Sequence, residues 1–271
     1  MTTIADLYKA RFGLDKDIGQ DMKAEGTVAG ILNRRSHRRY TDEPVSNDLL
    51  DVLLACAQSA PAKSDLQQYS IIVVEDPKAR EVIGGWEGAA PVFLMFCADS
   101  RRQRKLAKIR GHDFENDNVD TFMNVCVDAA LAMQSFILAA ESAGLGCCPI
   151  SQVRNRIEAW CEVLGLPEGV FPISGLCVGW PSTPGFISMR LPPSTVVHRD
   201  RYDDSNLEAD VDAYDKRRHA IYAIPPEKQR LTERYGALDF CGWSENTTRQ
   251  LSEPERAGFK AFLNKHGFSL K

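Results

Sequence analysis

The sequence predicts a mixed domain, α+β or α/β, and three observations carry the prediction. The β-rich runs "YSIIVVE" (69–75), "PVFLMFCAD" (91–99) and "VFPISGLCVGWP" (170–181) stand apart from one another. Segments of helical periodicity, or a glycine-containing connection, separate them. The composition is globular, with 44% hydrophobic and 26% charged residues over 271 positions, and neither an internal repeat nor a low-complexity linker marks a second domain. One domain spanning 1–271 is expected.

Each element has a local reason. From about 17 to 33, Ile18, Met22, Val28, Ile31 and Leu32 recur at helical spacing, weakened by Gly26 and Gly30. That helix delivers the chain into "RRSHRRYTDEP" (34–44). Helical geometry there would put Arg34 and Arg38 on one face and Arg35 and Arg39 on a face about 100° away. Pro44 interrupts the pattern, and Ser46 reads as the N-cap of "NDLLDVLLACAQSA". This helix is apolar nearly all round, hence expected to be buried, and it stops at Ala60-Pro61. "PAKSDLQQ" (61–68) reads as a polar loop, and the basic segment 100–112 as a solvated helix. Residues 119–143 should form the longest and most buried helix, closed by Gly144. "RNRIEAWCEVLGLP" follows as an amphipathic helix. A fourth strand is read at "STVVHRDRY" (194–202), with charged helices near 208–222 and 253–265.

Composition and spacing also exclude function classes. A net charge of −4 argues against a nucleic-acid binder. The eight cysteines (56, 97, 126, 147, 148, 161, 177, 241) contain no C-x-x-C, and the five histidines no H-x-x-x-H or H-E-x-x-H. Hence no metal and a reducing compartment are expected, with Cys147-Cys148 a buried structural pair. "MTTIADLYKARFG" lacks the apolar core of a signal peptide, and Asn124, Asp128, Gln134 and Ser135 interrupt 119–143. A cytoplasmic protein without a membrane span is therefore expected. Dinucleotide, P-loop and Gly-x-Ser-x-Gly motifs are missing, and "GLG" at 144–146 follows a helix rather than a strand.

One local feature runs against the acidic balance. Residues 34–39 hold four arginines and a histidine. At about 7 Å, two arginines repel by about 2.4 kcal/mol at an effective dielectric of ~20, and by about 0.6 in open water. Either the cluster is a solvated face, or a small anion sits against it.

Several segments together resemble the FMN-dependent nitroreductase superfamily. "RRSHRRYTDEPVSNDLLDVLLACAQSAP" is similar to its opening pattern, and "SDLQQYSIIVV" to its amide-bearing loop feeding the first strand. "AAESAGLGCCPI" and "LCVGWP…RLP" complete the set. The last, with the charged C-terminal extension, resembles the branch of oxygen-insensitive nitroreductases and NADPH–flavin oxidoreductases.

The resemblance implies an α+β fold with a mainly antiparallel sheet between helices. It implies an intertwined homodimer with one FMN per subunit at the interface. Residues 26–200 would be the core, and 201–271 an extension packing on the dimer. The implied reaction is ping-pong. NADH or NADPH passes hydride to flavin N5, and a small-molecule acceptor (nitroaromatic, quinone or flavin) then takes two electrons. Specialised flavin chemistry on the same fold (reductive dehalogenation, ene reduction or flavin fragmentation) and FMN storage or sensing are the alternatives.

The same resemblance assigns residues. Arg34, Ser36 and Arg38 match the FMN-phosphate grip, with Arg35 close by, and Arg190 of "MRLP" approaches the phosphate or ribityl chain. A phosphate monoester takes several charge-assisted bonds at about 1.5–3 kcal/mol each, enough to outweigh the repulsion between arginines. Arg39 has no matching role, and a surface salt bridge to Asp42 or Glu43 is expected of it. Ala62, Lys63, Ser64 and Gln67 match the loop that reaches the ring or ribityl hydroxyls. Pro149, Ile150, Ser151 and Gln152 match the stretch beside the isoalloxazine, where a backbone N–H faces N5 and O4. No catalytic side chain is implied. The chain departs from the pattern at Ala62-Lys63 (Ser-Ser in the family), Asp65 (Asn), Ser151-Gln152 (Gly-Gly) and Ser188 (Lys). Before Trp243-Ser244, where the branch carries basic NADPH-phosphate readers, stands "GALDFCG", with Lys228, Arg230 and Arg234 farther upstream.

Overall fold

The β-rich runs pair, with one addition, into a four-stranded antiparallel sheet. It comprises β1 (Tyr69–Val73), β2 (Val92–Asp99), β3 (Gly146–Ile150) and β4 (Val170–Gly179), in the order β1-β2-β4-β3. The computed structural model describes residues 2–271. Its α-helices longer than one turn are α1 (Ile4–Phe12), α2 (Gly26–Asn33), α3 (Asn47–Gln58), α4 (Arg101–Arg110), α5 (Val119–Ser142), α6 (Ile157–Val163), α7 (Leu207–Ile221), α8 (Trp243–Leu251) and α9 (Phe259–Lys265). The fold class is α+β.

The chain divides into two compact units, each built from two stretches of sequence. The sheet unit holds Arg35–Phe186 and Arg256–Lys271; the helical unit holds the residues up to Arg34 together with Ile187–Glu255. In the sheet unit, β2 is buried on both faces. Leu94 and Phe96 pack with Ala129, Ala132 and Phe136 of α5, where small residues let the helix lie close to the sheet. Phe93 and Met95 pack on the other side with Trp160 of α6, whose ring stacks on Phe93 at 5.8 Å. Each such side chain contributes about 1.5–3 kcal/mol. The chain's last residues supply a third cluster, in which Phe262 and Phe268 meet Phe171 edge-on. In the helical unit, Ile4, Leu7 and Ala29 form a small core between α1 and α2, and Tyr214 of α7 meets Trp243 of α8 edge-on at 5.5 Å.

Several sequence expectations are corrected. The helix expected over 17–33 forms only at Gly26–Asn33, because residues 19–24 spend their backbone groups elsewhere. Ile4 N bonds Met22 O, Ala5 N bonds Gly19 O and Ala24 N bonds Thr2 O. Nor is the arginine cluster helical. Arg34 is extended (φ −57°, ψ 137°), and Ser36 and Tyr40 form bridges to Cys147 and Pro181. The edge of β3 offers the segment main-chain partners that a helix end lacks, such as the bond from His37 N to Cys147 O at 3.0 Å. Gly146 is required beside it, since a Cβ there would meet His37 Cβ at 2.7 Å. Residues alternate along this segment, so Arg34, Ser36 and Arg38 share one face and Arg35 and Arg39 the other, as grouped from the sequence, but on opposite sides of an extended chain rather than on adjacent helical faces.

Ser46 caps α3 as expected, accepting from Leu49 N, but α3 is not buried all round: Val52 is 58% exposed. Likewise α5 is the longest helix, yet Val119, Met123, Val127 and Leu131 form an exposed apolar stripe along it. By length and composition alone α5 could cross a membrane, although Asp128 at its middle is fully buried. The fourth strand is β3 rather than 194–202, where Pro193–Val196 makes a single helical turn and Val196 and Val197 stay exposed. Of 253–265 only Phe259–Lys265 is helical, and α8 was not anticipated. Asp215 starts α8 by accepting Ser244 N at 3.2 Å.

Candidate functional site

The functional candidates are irregular backbone hung on this frame, and each is held by a polar anchor. In the sheet unit, the extended segment 35–40 runs along β3. Arg35 and His37, two apart, both face 183–185: Arg35 Nη1 donates to Pro184 O at 3.2 Å, and His37 Nδ1 lies 3.2 Å from Thr183 O. Tyr40 Oη donates to His37 O at 2.6 Å, and burial pushes its phenol strongly up, keeping it neutral. Arg38 and Arg39 are exposed. Among the described residues Arg39 has no salt bridge to Asp42 or Glu43, which corrects that expectation, and Arg38 has none to any acid. Arg38 instead lines a cavity of about 520 Å³ with Tyr40, Trp86 and Pro91.

The loop 62–68 is held by a single buried carboxylate. Asp128 of α5 accepts Lys63 N and Gln68 N, each at 3.0 Å. From α4, Arg102 Nη1 donates to Gln67 O at 2.6 Å. Between these anchors Ser64, Asp65 and Gln67 all take positive φ (50°, 57° and 52°). Three strained non-glycine residues in four positions fit a loop fixed for recognition. The Gln67 side chain donates to Asp65 Oδ1 at 3.1 Å, and Ala62 and Lys63 open the loop.

Pro149 and Ile150 end β3, and Ser151 and Gln152 begin a 3-10 turn over Ser151–Arg156. Gln152 Nε2 donates to Glu87 Oε1 at 2.8 Å, which turns this side chain toward Glu87. Ser174 Oγ donates to Ile150 O at 3.2 Å.

In the helical unit, Arg34 and Arg190 share a hub. Arg34 O accepts from the side chain of Arg11, and Arg190 N donates to Arg11 O at 2.8 Å. Arg190 also lines a cavity of about 580 Å³ with Phe12, Tyr214, Arg218 and Trp243.

The sheet unit keeps two of these pieces apart. Gln68 O accepts from Asp99 at one end of β2, whereas Ser36 bridges Cys147, which pairs with Val178 opposite Val92 at the other end. Along β2 that is about 23 Å, and four inter-strand spacings add about 19 Å across the sheet. Loop 62–68 and Ser36–Arg38 thus stand at diagonally opposite corners. Sequence reasoning missed the anchors Arg11, Arg102 and Asp128. Asp128 left a signal, the one carboxylate in the apolar stretch between Asp120 and Glu141; the other two left none.

The donor set is cationic and hydroxylic, fit for a phosphate monoester. Thiol chemistry is unsupported. Burial pushes Cys126 and Cys161 up to about 11 and Cys177 higher still. Cys147 and Cys148 point into different core clusters. No group of three metal-ligating side chains occurs among the described residues.

Two family models match the chain: "Nitroreductase family" over residues 31–180, and "Nitroreductase family, C-terminal domain" over 188–271. The FMN reductase [NAD(P)H] of Bacillus subtilis is 33% identical over 254 residues, covering 90% of this chain and 98% of the relative. The structure of the NfrA1 nitroreductase from B. subtilis superposes with a TM-score of 0.81 at 32% identity, covering 91% and 100% of the two chains. That of the NADPH:FMN oxidoreductase from Vibrio harveyi, complexed with NAD+, gives 0.78 at 29% identity, covering 90% and 99%. With both models matched in order and likeness over nine-tenths of its length, the chain belongs to the nitroreductase family.

Proposed function

We propose that the chain is an FMN-dependent NAD(P)H oxidoreductase that works by ping-pong two-electron reduction. Bound FMN supplies the carrier chemistry, accepting hydride from NADH or NADPH and passing two electrons to a nitroaromatic, quinone or flavin acceptor. The chain's own residues bind and orient. Arg34, Ser36 and Arg38 are assigned to the phosphate, with Arg35 close by, and Arg190 to the phosphate or ribityl chain. The observation that carries this is Arg38, a cation that lines a cavity together with Asp42 and is in no salt bridge with a carboxylate among the described residues. Gln67 and the backbone of Ala62, Lys63 and Ser64 address the ring and ribityl chain. A backbone N–H of the 149–152 stretch would face the reducible edge of the ring.

The functional form is a homodimer, in the cytoplasm. Two features support it. The diagonal separation of loop 62–68 from Ser36–Arg38 is too great for one mononucleotide to touch both within a chain. The apolar stripe Met123, Val127 and Leu131, with Val52 of α3 nearby, is exposed in a single chain. In the dimer the C-terminal extension packs against the partner. The test is direct. The protein should bind FMN stoichiometrically, and anaerobic NADH or NADPH should bleach the bound flavin, with recovery on adding a quinone or nitroaromatic. A chain that takes up no FMN on titration would overturn the proposal.

A further inference from the structure

Arg11 lies upstream of the family-matched residues, on the last turn of α1, and is only 7% exposed. Its guanidinium reaches Leu32 O from Nε at 3.1 Å and from Nη2 at 2.9 Å. It also donates from Nη1 to Ser188 O at 2.8 Å, and from Nη2 to Arg34 O. Leu32 O and Arg34 O belong to the C-terminal end of α2, where carbonyls have no partner within the helix. The main chain of Arg11 takes the other side, accepting Arg190 N at 2.8 Å.

Gly13, at φ 64°, then turns the chain against Met189, and a Cβ at this position would meet Met189 Cε at 2.7 Å. So α1 and its cap grip three successive residues: Ser188 by its carbonyl, Met189 by its side chain and Arg190 by its amide. Few side chains can do this. A guanidinium offers five donors in a fixed plane, whereas a lysine offers a point charge without the fork.

We propose that Arg11 is a positioning residue for the flavin phosphate. It fixes the backbone from which the Arg34 and Arg190 side chains extend, and it adds its own charge to theirs. The N-terminal segment, outside the matched residues, is then part of the cofactor site. This inference rests on the FMN reading above, and riboflavin, which lacks the phosphate, separates the two.

Full-length protein loaded with FMN or with riboflavin is diluted, and each dissociation constant is read from the recovery of flavin fluorescence. Arg11→Lys should raise the FMN constant roughly 10-fold and Arg11→Ala roughly 100-fold, while riboflavin changes less than about twofold. A general structural defect would weaken both ligands together. Arg190→Ala and Arg38→Ala serve as references for loss of a phosphate contact. If they raise the FMN constant selectively and both Arg11 variants leave the FMN-to-riboflavin ratio unchanged, the positioning role is overturned and the phosphate reading stands. If the references also leave the ratio unchanged, the phosphate reading falls and the Arg11 role with it. Should Arg11→Ala fail to fold, Arg11→Lys decides alone.

Discussion

Loop 62–68 in the sheet unit and the 188–190 segment in the helical unit are held by buried charges of opposite sign. Asp128 gathers two backbone N–H groups at 3.0 Å, and Arg11 gathers the carbonyls of Leu32, Arg34 and Ser188. The contrast follows from what each segment leaves unsatisfied. A loop with residues in the left-handed region presents amides inward and needs an acceptor; a helix end beside an extended segment presents carbonyls and needs a donor. Asp128 sits at the centre of the longest helix, so its loop is fixed by the core. Arg11 sits near the N-terminus, so its segment is fixed from outside the residues that the family models match.

The largest effect should come from the core anchor. Asp128→Ala leaves the buried amide of Gln68 and the part-buried amide of Lys63 without an acceptor, at about 1–3 kcal/mol each. Urea unfolding should show a loss of about 3 kcal/mol with an unchanged slope; a loss under 1 kcal/mol would deny Asp128 its anchoring role. Next comes the exposed stripe of the same helix. Val127→Asp should convert the dimer to monomer in light scattering and release FMN, since a carboxylate would be buried without a partner. A dimer that keeps its flavin would mean that this face is not the interface.

If Arg38 holds the phosphate as proposed, Arg38→Ala should weaken FMN roughly 10- to 150-fold, the loss of one charge-assisted contact, whereas Arg39→Ala should weaken it less than about twofold. Equal losses would erase the distinction between them. The smallest effect belongs to the C-terminal end of α9, in the sheet unit. The imidazole of His266 is held below its usual value near 6.5 by burial and then by Lys265. The unfolded chain therefore takes up this proton first as pH falls. The His266 contribution should be fully present above about pH 6.5, decline below it, and level off once the folded-state value is passed. His266→Gln should flatten that part of the pH–stability curve.

Much of this was legible in the sequence where a pattern is local. Ser46 announced its helix, the runs at 69–75, 91–99 and 170–181 announced their strands, and the motif at 34–38 is the basis for proposing a place for an anion. What failed depends on partners distant in the chain. "RRSHRRY" reads as a helix continuation until the edge of β3, about 110 residues later, offers it main-chain hydrogen bonds. "GCCPI" is too short and too rich in Gly and Pro to signal a strand alone. The buried face expected all around α3, and along the whole of α5, presumed that one chain covers every apolar surface. Arg11 and Arg102 carry no motif, because a buried arginine is defined by the carbonyls it meets.

The central claim is that each flavin site joins one corner of a sheet to the opposite corner of the partner's. Complementation in a mixed dimer tests it most directly. Arg38→Ala and Gln67→Ala chains, each weak in FMN as homodimers, are co-expressed with different tags and isolated as the heterodimer. The account predicts one tight FMN per heterodimer, because one of its two sites receives Arg38 and Gln67 intact from different chains. No tight FMN in the heterodimer would place both residues in a site within one chain and contradict the account.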